Sequence, residues 1–107
     1  MRIKVWNIEA ITGYKPKTTF FEDFSVADHF GIPAVKDTYE RGLETAMFMG
    51  YEYLTEFVMV LNHKIWEHYE DNEPLARVYN DLWQKADEEA QNILKGKELS
   101  YYYDTLD

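Results

Sequence analysis

The sequence predicts a mainly α-helical fold: a compact bundle of three to four principal helices, with a small two-stranded pairing of the N- and C-terminal segments as an optional addition. Two observations carry this reading. Apolar residues recur at spacings of three and four over long stretches. Capping residues, prolines and glycines fall at the ends of those stretches. The 107 residues are read as one domain, with a basic N-terminal arm over 1–19, a helical body over 20–95 and a Tyr-rich tail over 96–107.

Arg2 to Trp6 alternates, with Ile3 and Val5 on one face, which permits a short strand. Asn7 can cap a short helix over Ile8–Thr12 that Gly13 closes. Pro16 drives Lys15 to extended backbone, so 14–18 is a connector. Thr19 and Glu22 have capping-box spacing, and Ser25 with Asp28 is a looser version. A helix over 20–30, kinked near Ser25, is expected to stop at Gly31 with Val26, Ala27, Phe30 and Ile32 in the core. Pro33 suits the first turn of the next helix, whose apolar face is Val35, Tyr39, Leu43, Ala46 and Met47. Gly50 breaks it.

The helix over about 51–70 buries Leu54, Phe57, Val58, Leu61, Ile65 and Tyr69, with Met59 and Val60 on its other side. An apolar surface nearly all round marks a central helix touched from several directions. Asn72 caps and Pro74 opens a last long helix to Lys95, closed by Gly96, with the stripe Leu75, Val78, Tyr79, Leu82, Trp83, Ala86, Ala90, Ile93 and Leu94. The tail, with three adjacent tyrosines, is expected to pair with the N-terminal strand or to pack across the helices.

The formal net charge is −9, unevenly placed. Residues 1–19 carry four Lys/Arg against one Glu, and residues 20–107 carry seven Lys/Arg against nineteen Asp/Glu. Such a body repels a phosphate backbone. Hydrophobic residues make up 46% and aromatic residues 17%, enough for a real core. The chain has no cysteine, which excludes disulfides, Cys-zinc sites, iron–sulfur clusters and thiol chemistry. The start lacks the apolar core of a signal peptide, and the longest apolar run, Phe57–Leu61, is far too short to span a bilayer. A cytoplasmic location, with no membrane partner, is the expectation.

Three motifs need weighing. The stretch SVADHFGIPAVKDTYERGL (residues 25–43) has the outline of a helix-turn-helix. A DNA reader of that kind needs apolar residues where this chain has Asp37 and Glu40, and Lys36 and Arg41 stand among Asp37, Glu40 and Glu44. Carboxylates aimed at phosphates repel. The stretch is therefore read as a helical corner, with Val26, Phe30, Val35 and Tyr39 buried. His63 and Glu67 are four apart and His68 follows, a spacing that begins a metal site but lacks a further ligand of suitable type. His63 is then expected at the core edge and Glu67 in solvent, with no metal and no cofactor. No glycine-rich phosphate loop, nucleophile elbow or kinase signature is present, so no catalytic residue is named and no enzymatic activity is expected. Trp6, Tyr14, Phe20, Phe21 and Phe24 crowd the first quarter and Tyr101–Tyr103 the end. They are expected to pack the terminal segments onto the bundle, or to form a partner-binding patch, most simply between two copies.

At WNIEAITGYKPKTTF and FVMVLNHKIWEHYE the chain resembles a group of small acidic proteins encoded on mobile elements and prophages of Gram-positive bacteria. The resemblance implies a context rather than a fold or an activity, since small acidic proteins of that origin include inhibitors of host defence and mimics of DNA charge. The expectation is a non-enzymatic interaction protein that binds another protein through an acidic or aromatic face. In its sharpest form it is a DNA-mimicking inhibitor using Glu67, Glu70, Asp71, Glu73, Asp81, Asp87, Glu88 and Glu89. The alternative is a nucleic-acid-binding regulator using 25–43 and the basic arm.

Overall fold

The computed structural model describes residues 16–106. Five helices follow one another there: α1 (Phe20–Phe30), α2 (Ile32–Met49), α3 (Tyr51–His68), α4 (Glu73–Ile93) and α5 (Lys97–Leu106). Among the described residues there is no strand. The architecture is mainly helical, as the periodicity predicts, but has five helices rather than three to four. The tail is a helix, which removes its expected strand pairing. The strand at Arg2–Trp6 and the helix at Ile8–Thr12 lie outside the described residues.

The first two corners use the same chemistry. Gly31 has φ 107° and ψ −177°, and Gly50 has φ 117° and ψ −178°, a region that only glycine occupies cheaply. Gly31 N–H closes α1 on the Ala27 carbonyl at 3.1 Å, and the Gly31 carbonyl opens α2 by accepting from Val35 N–H at 3.1 Å. Gly50 repeats this with Ala46 and Leu54. One residue thus ends one helix and starts the next. At the third corner Asn72 accepts from Leu75 N–H and Pro74 sits in the first turn of α4, as expected. The Thr19 side chain, expected to cap α1, makes no cap bond; Thr18 Oγ1 accepts from Phe20 N–H instead. Helix α1 runs unbroken through Ser25.

Helix α3 is central. It packs most extensively along α4 and also touches α1, α2 and α5. Its residues Leu54 to Leu61 are all buried, including Thr55 and Glu56. Thr55 Oγ1 donates to the Tyr51 carbonyl. The Glu56 carboxylate accepts from the backbone N–H groups of Lys17 (2.7 Å) and Thr18 (3.1 Å) and from the Thr18 hydroxyl, so a buried charge anchors the chain just before α1. The core continues through Phe20, Phe24 and Ala27 of α1, Val35, Tyr39 and Ala46 of α2, and Leu75, Tyr79, Leu82, Ala86 and Ala90 of α4. Tyr102 of α5 is fully buried and donates to Asp87. Tyr101 meets Tyr51 edge-on at 5.1 Å.

The corner at 25–43 is half as expected. Val35 and Tyr39 are buried, but Val26 is 58% and Phe30 76% exposed, because α1 turns Phe20, Phe24 and Ala27 inward and the opposite side outward. Met47, Tyr69 and Ile93, also expected in the core stripes, lie at the surface. Asp37 and Glu40 are exposed, and Asp37 holds Arg41 at 3.0 Å.

Candidate functional site: an ionic cluster and an aromatic groove

The densest polar chemistry lies where α1, α3 and α4 meet. Lys64 of α3 is fully buried, and its ammonium uses all three of its donors. They reach Asp28 Oδ2 at 2.8 Å, Glu67 Oε2 at 2.9 Å and Ser25 Oγ at 3.1 Å. The ring of Phe21 lies 4.8 Å from the same nitrogen. Helical spacing makes this set: Phe21, Ser25 and Asp28 share one flank of α1, while Lys64, Glu67 and His68 sit at i, i+3 and i+4 on α3. Asp28 receives two further partners, His68 Nε2 at 2.8 Å and the Tyr79 hydroxyl of α4. Against a carboxylate oxygen, Nε2 of His68 serves as the donor. The His68 ring also stacks on Tyr79, 5.8 Å between centroids and 10° from parallel.

Ligand atoms of Asp28, Glu67 and His68 lie within 4.8 Å of one another, a spacing at which a metal ion could be held. The Lys64 ammonium stands at hydrogen-bonding distance from two of the three groups, so a positive charge already fills the place a cation would take. Glu67, expected in solvent, is in this cluster rather than on the acidic face. His63, expected at the core edge, is partly buried with its ring edge-on to Phe21. Burial holds its imidazole below the ordinary histidine range, against the opposing pull of Glu67.

Burial alone would raise the Asp28 carboxyl, but hydrogen bonds from His68, Lys64 and Tyr79, together with the Lys64 charge, outweigh it and hold the group below its ordinary 3.8. The stability this contributes is complete above the unfolded-state value of about 3.9 and is lost as pH falls through the lower folded-state value. Urea unfolding from about pH 5 to about pH 2 should therefore show a steeper acid loss in the native chain than in Asp28→Asn. Equal slopes would contradict the assignment.

The second feature is a groove of about 870 Å³ between α3 and α4. Ile65 and Trp66 of α3, Tyr69 just after it, and Ala76 and Trp83 of α4 supply its apolar wall. Trp66 and Tyr69 are 60% and 61% exposed, with ring centroids 5.3 Å apart. Glu73 and Asp81 bring carboxylates to the groove, while the guanidinium of Arg77 is held by Glu73.

The eight carboxylates expected to form one acidic surface are divided by the fold. Glu67 is in the ionic cluster, Glu73 bridges Arg77, and Asp87 accepts from Tyr102 and from Gln91. Glu70 and Asp71 lie on the exposed turn after α3. Asp81, which also borders the α3–α4 groove, lines a second groove with Glu88, Glu89 and Glu40 of α2, where Lys85 is the cation. The Tyr39 phenol at that groove is pushed up to about 12 by burial and by the charges of Glu40 and Glu89. The sequence singled out neither Lys64 nor the Trp66–Tyr69–Trp83 groove. Lys64 had a signal, since it extends the buried series Phe57, Leu61 by three and leads to His68 by four. Among the described residues, no helix is long and apolar enough to cross a membrane.

These features define a class: a mainly helical domain built on a central helix, with a largely buried ionic cluster inside and an aromatic groove outside. No protein-family model matches the chain, and no curated protein or solved structure matches it.

Proposed function

We propose that the chain is a binding protein rather than a catalyst, and that it docks a partner's cationic segment in the α3–α4 groove. The observation that carries this is the pair Trp66 and Tyr69, both more than half exposed in a groove that Trp83 also lines. Aromatic rings left in water are costly, and Trp and Tyr dominate the energetics of protein interfaces when a partner covers them. Ring faces attract ammonium and guanidinium groups, and the carboxylates of Glu73 and Asp81 stand beside them. A partner segment bearing Lys or Arg complements both. The ionic cluster supports a structural rather than a catalytic role, because a Lys64 with no exposure cannot touch a substrate.

Titration of the full chain with an arginine- and leucine-containing peptide, followed by tryptophan fluorescence, tests the proposal. Trp66→Ala and Trp83→Ala should each weaken binding by about tenfold or more at unchanged net charge. Affinity unchanged from the native chain in both variants would refute it, since charge attraction alone would then account for binding.

The finer reading, an element-encoded inhibitor that imitates DNA charge, draws on the second groove, where Glu40, Asp81, Glu88 and Glu89 face one lysine. It requires binding that falls steeply with salt and is lost on reversal of Glu88 and Glu89. The nucleic-acid-binding alternative has less support, because Arg41 is paired with Asp37 and the exposed side of α2 carries Asp37 and Glu40.

A further inference from the structure

We infer that the α3–α4 groove accepts a helix: a partner's amphipathic α-helix lies along α3 and α4, with apolar side chains on Trp66 and Tyr69 and a Lys or Arg on Asp81. This inference rests on the reading of the groove as a docking site and adds the form its occupant takes. The groove is built from two helix faces. Asn62, Trp66 and Tyr69 follow at steps of four and three along α3 and its cap, and Glu73, Arg77 and Asn80 do so along α4. Such walls offer a partner's backbone little to bond. The main-chain groups of a helix interior are bonded within the helix, and among the described residues there is no strand whose edge could pair. An extended segment pressed onto Ile65, Trp66, Ala76 and Trp83 would bury N–H and C=O groups without partners. A helix satisfies its own backbone and presents only side chains, whose ridges fit the furrow between two other helices.

Charge fixes where along the groove the partner's cation sits. Glu73 is matched by Arg77, 2.5 Å away, so that end is close to neutral. Tyr69 stands there, beside the turn from α3 to α4, with Trp66 against it. Asp81 is exposed and has no cation within ion-pair distance among the described residues. Lys85, one turn further along α4, lines the α2–α4 groove with Glu40, Glu88 and Glu89, so the charge beyond Asp81 stays negative. Glu73 and Asp81 are separated by two turns of α4, about 12 Å of rise. The partner helix therefore carries its apolar anchors at one end and a Lys or Arg about two turns away on the same side. Trp83 lines the groove with Asp81, and the aliphatic stem of that cation covers its ring.

Two peptides of about 15 residues, titrated into the full chain and followed by tryptophan fluorescence, test the inference. The first places leucines at steps of three and four, with two arginines about two turns beyond them on the same side, in an alanine and glutamine background. The second differs only by prolines on the opposite side, which forbid the helix and leave the contact residues in place. The second should bind at least about tenfold more weakly, and carbon chemical shifts of the isotope-labelled first peptide should become helical on binding. Asp81→Lys should weaken the first peptide at least about tenfold, and a version with glutamates for arginines should recover that loss. Circular dichroism checks that the variant remains folded. Equal affinity for the two peptides, or a bound peptide that stays extended, would overturn the helix and leave the docking reading standing. No recovery by the glutamate peptide would overturn the placement of the cation on Asp81. Binding of both peptides that Trp66→Ala and Trp83→Ala leave unchanged would overturn the docking reading and the helix together.

Discussion

Replacing Lys64 by alanine is expected to destabilise the domain by about 3–5 kcal/mol, a large share of the roughly 5–15 kcal/mol that holds a natural domain folded. The cost comes from what stays behind more than from the bonds removed. Asp28 and Glu67 would keep two largely buried carboxylates facing each other without the ammonium that lies 2.8 and 2.9 Å from them. Ser25 would lose its donor and Phe21 its cation. Lys64→Met keeps most of the stem, so it isolates the charge from the cavity. Adding Asp28→Asn to Lys64→Met should recover part of the loss, and a double-mutant cycle would measure the coupling. A second readout separates this account from simple damage to the core. With Lys64→Ala, the ligand atoms of Asp28, Glu67 and His68 lose the positive charge beside them. Zinc should then raise the melting temperature of Lys64→Ala and leave that of the native chain unchanged. Stabilisation of the native chain by zinc would show that Lys64 does not fill the cation position.

The second large effect is expected at Gly42, in the middle of α2. A Cβ there would lie 2.5 Å from Cε1 of Phe57, with Cζ and Cδ1 at 3.3 and 3.4 Å. Phe57 is fully buried and cannot simply retreat. Phe20 meets it edge-on at 5.1 Å, Tyr39 lies at 5.6 Å and Phe24 at 5.8 Å. Alanine would gain about 1 kcal/mol of helix propensity over glycine. Overpacking of about 1–3 kcal/mol opposes that gain and should outweigh it, because the ring that must move is itself held by three others. Gly42→Val adds more bulk with less propensity gain, and should be the more severe variant by urea denaturation. Phe57→Leu combined with Gly42→Ala should be more stable than the sum of the two single losses predicts. An additive double variant would mean that α2 and α3 do not meet at this contact.

Four helix boundaries were legible because local chemistry sets them, whereas α4, expected to run to Lys95 and close at Gly96, stops at Ile93 with extended Leu94 as its cap. Gly31, Gly50, Asn72 and Pro74 each act within one turn of their own position, and each ends or starts a helix where its residue type predicts. The centrality of α3 was legible in its all-round apolarity. The rotation of α1 was not, since it carries apolar residues on both sides: Phe20, Phe24 and Ala27 on one, Val26 and Phe30 on the other. Ser25 and Asp28 flank the first side, and their bonds to Lys64 agree with that side facing inward. That is a tertiary fact without a local signature. Lys64 did carry a signal in its spacing from Phe57 and Leu61, but a charged side chain on a helix that also bears Glu52, Glu56 and Glu67 reads as facing solvent. In the tail, three adjacent tyrosines suggest a strand, whereas Leu99, Tyr102 and Leu106 follow helical spacing and turn towards the core. Packing against α3 takes precedence over propensity there. The acidic surface was legible as composition only; which carboxylates are free to meet a partner depends on bonds to Arg77, Tyr102 and Lys64.

The central claim is that the ionic cluster holds the fold and the aromatic groove does the binding. The most direct test is two-dimensional proton–nitrogen NMR of the full chain titrated with the arginine- and leucine-containing peptide. The chain has three tryptophans, so three indole N–H signals report on three places at once. The account predicts that the signals of Trp66 and Trp83 move with the amides of α3 and α4 around the groove. Signals of those two residues that stay fixed while the peptide binds elsewhere would contradict it.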